Sequence, residues 1–589
     1  MTLFEKESFK KTEGSICIIA KDFRGQGGGG AARGPDRALK PDQPPVQNNG
    51  LTGRRPHLAD SVALLLSATF LLAGLCIIPY PGLQNDEVLF ASALYAPTQT
   101  PGWVGVFKKP LPIMLLGYLG ALKAWLYAPI LAIWSPSAWS VRVPVLLLGA
   151  FTVWLFYRLS RRCLGARGAV VACALLATDT TYLLTTCFDW GPVVLQRLFA
   201  VAGVGLLIRF HDTANRLFLG AAFFLFGLAV WDKALFGWTL AGLATAAVCA
   251  VPGAIRRACT SKNVALAVVC FLVGAYPLIR YSKRHRMETF RTAVGWSLEG
   301  WKDKLYVAAS TLDGSSLIGY ITFDDPAERP RSPRNGLERL SVGLDDLAGR
   351  PRYGVLGYSL AVSALLLPFL WRTAARRPML FALVFLLVAW GLMFFGRGAG
   401  GSSHHVALLW PWPHLLVAAA FAEASQRLGK AGLPVLVLVT ALVCGKAALS
   451  TNVHLSQFIR NGAAGSWSDA VYGLSDYLGS EKGRQVVVLD WGIFEPLRLL
   501  HRGRLPLVWG ADPLQKAPPS PDDARVFREI IDQPNRVFVS YTETHEQFAG
   551  VNERLRQMLD SLDRRREVLK VIQDSNGRPV YEVFAIDRP

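Results

Sequence analysis

The chain has 589 residues, 51% of them hydrophobic and 18% charged, with a formal net charge of +20 and a mean hydropathy of +0.29. A soluble protein of this size has a surface to solvate and is rarely so apolar, and here the apolar residues fall in blocks of about 17 to 20, the length that crosses a ~30 Å hydrocarbon core. The basic residues lie in short connections between those blocks rather than in one stripe, which points to membrane topology and away from nucleic acid. The nine cysteines give neither a disulfide framework nor a paired CxxC metal motif.

In chain order, residues 1–57 are rich in Gly, Pro, Lys and Arg around GQGGGGAARGPDR, without apolar periodicity, and are expected to be a disordered cytoplasmic tail. No signal-peptide pattern precedes Ser61 to Tyr80, which is therefore expected to remain as the first spanning helix. It leads into a first outer loop, residues 81–142, carrying the adjacent acids Asp86 and Glu87 and then Lys108 and Lys109. Leu111 to Ile133, with Trp125 and Tyr127 and followed by Trp134 and Trp139, reads as one or two helices lying at the membrane interface. Spanning resumes near Val143, and ten further apolar blocks end near Leu449, which makes about eleven helices in all. Arg158, Arg161, Arg162 and Arg167 share one connection, and Arg256, Arg257, Lys262, Arg372, Arg376 and Arg377 fall in others on the same side as the basic tail. The positive-inside rule makes that side cytoplasmic, so the loop at 81–142, the segment 282–352 and the chain beyond 450 lie outside.

Residues 451–589 have the composition of a soluble domain, with strand-like QVVVLD, LPLVW and NRVFVSYT, helix-like DDARVFREIID, and a terminal hairpin around DSNG. The expected fold is an all-α polytopic membrane protein, residues 58–450, with a C-terminal soluble α/β domain and no Gly-rich phosphate loop.

Ionisable groups at membrane depth or helix mouths are costly, so each is a functional candidate. On the outer side these are Asp86, Glu87, Asp179, Asp189, Asp232, Lys233, Arg280, His404 and His405. Asp86 and Glu87 are either a catalytic carboxylate pair or a solvated acidic turn. Asp232 and Lys233 are either a local ion pair or part of a site, and Arg280 either snorkels to headgroups or binds phosphate. Adjacent histidines point apart on a helix and no carboxylate is spaced with His404 and His405, so no metal site is expected. A polyprenyl-phosphate substrate needs an apolar groove for its tail, cations for its phosphate and a carboxylate for its acceptor, and the outer side offers all three. A transporter or lipid flippase is the alternative class, but no inverted internal repeat is visible.

The acidic pair, FKKPLPIMLLGY, SVRVPVLLLGAFTVWLFYRLSRRCLG and LLATDTTYLLTTCFDWGP, in this order, resemble the protein O-mannosyltransferase and aminoarabinose-transferase superfamily of GT-C glycosyltransferases over about Leu58 to Ala422. The resemblance implies an inverting transferase of a bacterial inner membrane that uses a polyprenyl-phosphate sugar donor and needs no cofactor. Its acceptor is undefined among lipid, glycan and protein, and its C-terminal domain is periplasmic. By motif the catalytic base falls on Asp86 with Glu87 beside it. Lys109 and Lys233 are implied for the donor phosphate and Asp189 for the close of the second outer loop; by their charge and place on the outer side, Arg280 joins the phosphate set and Lys108, Asp179, His404 and His405 the cavity. Lys108 stands where the aminoarabinose branch has a glutamate, which separates this chain from that branch's metal site and substrate. The segment 282–352 is either a lid over the donor or a linker.

Overall fold

The computed structural model describes residues 58–589 except 107–108, 286–294, 324–329, 482, 516–519 and 588–589, so the expected tail and Lys108 lie outside the described residues. Helix α1 (Leu58–Ile77) ends where two prolines, Pro79 and Pro81, interrupt the chain, and a short α2 (Asn85–Ser92) follows. Next comes a small antiparallel sheet, β1 (Gly102–Val106), β2 (Lys109–Leu116) and β3 (Leu119–Gly120), and then α3 (Leu122–Ile133). The expected helix over Leu111 to Ile133 therefore begins only at Leu122. Pro110 and Pro112 have no N–H to give a helix, whereas β2 pairs Pro112 with Trp103 and Leu111 with Val104 on β1.

Helix α4 (Ala138–Thr178) starts on a Ser137 capping box and turns at Gly165, whose φ of 71° favours glycine. That turn divides the helix where the sequence has its run of arginines. Helices α5 (Thr180–Cys187), α6 (Val194–Thr213), α7 (Arg216–Asp232), α8 (Phe236–Ala250), α9 (Pro252–Ala258) and α10 (Ser261–Arg284) complete the first part. Helices α7 and α10 meet through glycine. A Cβ on Gly227 would stand 2.2 Å from the Phe271 carbonyl oxygen, and one on Gly274 2.4 Å from that of Phe224, a backbone approach only small residues allow.

Helices α11 (Trp301–Asp313) and α12 (Gly336–Leu347) lie in the segment 282–352, followed by α13 (Leu356–Leu370), α14 (Arg376–Phe395), α15 (Trp412–Gln426) and α16 (Gly432–Asn461). Among the described residues six helices are long and apolar enough to span a membrane, or eight if each of two bent pairs is one span. The apolar blocks expected to span are mainly helical, with breaks at Asp179 inside the block 168–184 and at Trp410 and Pro411 inside the block 406–422.

Beyond α16 the chain forms α17 (Ala470–Ser480), β4 (Gln485–Val488), α18 (Phe494–Leu500), β5 (Leu507–Trp509), α19 (Pro521–Ile531), β6 (Arg536–Tyr541), α20 (Val551–Ser561), β7 (Arg566–Gln573) and β8 (Pro579–Ile586). The five strands make one sheet in the order β5-β4-β6-β8-β7, with β4 parallel to β5 and β6 and the terminal β7–β8 pair antiparallel. This α/β layer rests on the first outer loop. Leu499 of α18 shares a core with Leu83, Val88 and Phe90, the Ser92 hydroxyl donates to Glu495 at 2.5 Å, and the Gly82 N–H donates to the Trp467 carbonyl at 2.6 Å.

Candidate active site

The two adjacent acids have different environments, because α2 and α4 divide them. Gln84 caps α2, its side-chain oxygen accepting from the N–H groups of Asp86 at 2.7 Å and Glu87 at 3.1 Å. Glu87 points inward to Arg142, which stands in the first turns of α4. The guanidinium, 0% exposed, donates to both Glu87 oxygens at 2.6 and 2.8 Å and to the carbonyls of Ile78, Pro81 and Gly82 at 2.6, 2.8 and 2.7 Å. Those bonds use all five N–H groups of the arginine. Both Glu87 oxygens are thus taken up by Arg142, which ties the start of α2 to α4.

Asp86 is half-buried, and among the described residues only the Asn85 amide, at 3.3 Å, bonds its carboxylate. Burial pushes its carboxyl above its ordinary value, against the pull of Asn85 and the nearby Lys233 charge. Among the described residues Asp86 thus has no ion-pair partner.

Lys233, at the end of α7, is buried and donates to the Gly191 carbonyl at 2.6 Å. Burial pulls its ammonium down to about 8, with Asp189, Asp232 and Asp86 opposing. Asp232 accepts from Gln196 at 2.8 Å, so the adjacent acid and base find separate partners. Asp189 pairs with Lys123 at 2.8 Å, and its other oxygen accepts from the Val193 and Val194 N–H groups at 2.7 and 3.1 Å, where α6 begins. His404 bonds Ser402 at 2.8 Å and packs its ring 6.1 Å from Trp190 and 4.3 Å from His405. Tyr320, in the segment 282–352, packs its ring tilted 5.6 Å from Trp190 and edge-on 6.3 Å from Trp467, within electrostatic reach of Asp86.

The structure thus gathers Asp86, Asp189, Lys233, His404 and His405 on one side. Asp179 stands one α5 length away, capping that helix through the Tyr182 N–H at 2.6 Å and bonded by Trp410 at 2.9 Å and His414 at 3.2 Å. Lys109 is exposed at the start of β2, and Arg280 is half-buried at the outer end of α10; neither has a hydrogen bond or ion pair among the described residues. Their elements are neighbours, since Ile113 and Met114 of β2 share a small core with Leu278 and Tyr281 of α10. Among the described residues no three His, Cys, Asp or Glu side chains are grouped to hold a metal ion.

Residues 120–281 match the family of dolichyl-phosphate-mannose-protein mannosyltransferases. ArnT from Cupriavidus metallidurans in the apo state aligns with 90% of this chain and 98% of its own at 14% identity and a TM-score of 0.53. The same protein bound to undecaprenyl phosphate aligns with 89% and 97% at 14% identity and a TM-score of 0.51. The chain has the GT-C glycosyltransferase fold. Comparison with proteins of curated function gives no match. The family match runs from β3 into α10, so it contains Lys123, Arg142, Asp179, Asp189, Lys233 and Arg280, while Asp86, Lys109 and the two histidines lie outside it.

Arg142, Lys123, Trp190, Tyr320 and Trp467 belong to this site and sequence reasoning missed them. Arg142 carried a usable signal, a guanidinium placed at the mouth of a long apolar helix. Trp190, Tyr320 and Trp467 carried none, because their proximity arises only from the fold.

Proposed function

We propose that this chain is a glycosyltransferase that moves a sugar from a polyprenyl-phosphate donor to an acceptor on the periplasmic face of a bacterial inner membrane. The observation that carries the reading is the division of labour between the adjacent acids: Glu87 is locked to Arg142, and Asp86 stands free beside Lys233. The family description and the undecaprenyl phosphate in the ArnT structure support the lipid-phosphate donor. Residues 58–450 are the transferase, residues 451–589 the periplasmic domain and residues 1–57 the cytoplasmic tail.

In this mechanism Asp86 takes the proton of an acceptor hydroxyl or amine as its oxygen or nitrogen attacks the anomeric carbon. The bond from that carbon to the phosphate oxygen breaks on the opposite face, so the configuration inverts and the lipid phosphate leaves with the electron pair. Lys233, with Lys109 and Arg280 on the neighbouring β2 and α10, offsets its charge.

The test incubates the purified protein in nanodiscs with radiolabelled polyprenyl-phosphate sugars and a membrane extract of acceptors. Label transfer by the parent and a loss of about 10²–10⁴-fold in Asp86→Asn, with donor binding retained, are expected. Full transfer by Asp86→Asn would sink the assignment. Donor left intact while proteoliposomes move lipid would replace the transferase with a flippase.

A further inference from the structure

The end of α1 borders a cavity of about 540 Å³ whose lining holds none of the residues assigned to the proposed transfer. Leu72, Leu75 and Cys76 of α1 form its apolar wall, and Arg331, Arg334 and Glu338, at and before the start of α12, form its polar rim. The carboxylate at that rim is already paired. Glu338 accepts from the Tyr80 hydroxyl at 3.2 Å, the Arg331 guanidinium at 3.3 Å and the Arg334 N–H at 2.6 Å. Asp469, also in the wall, accepts the Ser575 N–H at 3.1 Å. The Arg334 guanidinium is exposed and has no partner among the described residues.

Leu72 is 62% exposed, so the apolar wall continues onto the face that α1 turns toward lipid. Arg334 therefore stands over an apolar channel at the end of a spanning helix, the depth at which lipid phosphates lie. We propose that this cavity binds the phosphate-bearing head of an anionic membrane lipid, with Arg334 meeting the phosphate and an acyl chain lying along Leu72 and Leu75. The site is distinct from the Asp86 cluster. Phe458 in the cavity wall packs on Phe188 at 6.1 Å, Phe188 on Trp467 at 5.4 Å and Trp467 on Trp190 at 5.8 Å, a row of rings that stands between the two.

Cys76 supplies the readout, because it lines the cavity. The full chain is placed in phosphatidylcholine nanodiscs with or without phosphatidylglycerol, and alkylation of Cys76 by N-ethylmaleimide is followed by peptide mass spectrometry. Phosphatidylglycerol is expected to slow Cys76 alkylation about fivefold, the factor one arginine contributes near an anionic surface. Arg334→Glu should abolish that protection and Arg334→Lys should keep it, with both variants melting like the parent. Equal alkylation in the two discs, or protection that persists in Arg334→Glu, would overturn the proposal. Inorganic phosphate protecting Cys76 equally well in phosphatidylcholine discs would assign the site to a soluble anion and overturn its lipid character.

Discussion

At the residue scale the chemistry turns on which of two neighbouring carboxylates is bound and which is free. Removing one partner of a buried, fully hydrogen-bonded pair strands the other charge, so Arg142→Ala is expected to cost about 3–5 kcal/mol, read as a fall in melting temperature. Arg142→Lys should recover little of it, since an ammonium cannot reach three carbonyls and both carboxylate oxygens at once. A stable Arg142→Ala would show that the pair does not hold the loop. The free groups set the pH dependence. In the proposed mechanism Asp86 acts ionised, and burial raises its carboxyl, so kcat/KM should climb with pH through a limb above the ordinary carboxylate range. Lys233 acts protonated and sits at about 8, so kcat/KM should fall again as pH rises through that value. In Lys233→Arg the guanidinium stays charged, and the falling limb should vanish; a limb unchanged in that variant would remove Lys233 from the phosphate's surroundings. The sequence exposed Asp86, Glu87 and Lys233 as candidates because their charge sits at helix mouths. The family resemblance pointed to Asp86, but spacing alone did not rank the two acids, because adjacent residues differ only in which way the loop turns them, and Arg142 decides that from 55 positions further on.

At the element scale the apolar helices were legible, since a run long enough to cross a bilayer has few other uses. The β1–β2 hairpin was not, because a short apolar run such as PIMLL satisfies strand and helix equally by periodicity. Its prolines were the available signal. The hairpin matters because Ile113 and Met114 of β2 pack on the end of α10 that bears Arg280, while α7, packed on α10, ends beside Lys233. The glycine contact between α7 and α10 thus sets the spacing of Lys233 and Arg280, two of the cations assigned to the phosphate. Gly274→Val puts a branched side chain against the Phe224 carbonyl and should cost about 1–3 kcal/mol in stability. It should also weaken donor binding more than it slows turnover, because Asp86 is carried by neither helix. A variant with native donor affinity would show that the helix spacing does not set the cation spacing.

At the scale of the whole molecule the α/β layer is part of the site's support. Its strands and terminal hairpin were legible from alternation and the DSNG turn, but its seating was not, because no local pattern in FEPLRLL says what Leu499 will touch. In the structure Leu499 fills the core beneath α2, and Glu495 of the same helix receives the Ser92 hydroxyl that ends α2. The α/β layer therefore holds from outside the short helix whose start Arg142 holds from inside. Leu499→Ala leaves a cavity under that helix and should cost about 2–5 kcal/mol. The comparison is Leu555→Ala, an equivalent truncation in the core on the other side of the same sheet, which touches no part of the outer loop. Both variants should lower the melting temperature, but only Leu499→Ala should lower kcat, because only it loosens the backbone that aims Asp86. Donor affinity should hold in both, since Lys109, Lys233 and Arg280 rest on other elements. Equal losses of kcat would mean that the α/β layer acts through its stability alone, and the coupling from α18 through α2 to Asp86 would have to be abandoned.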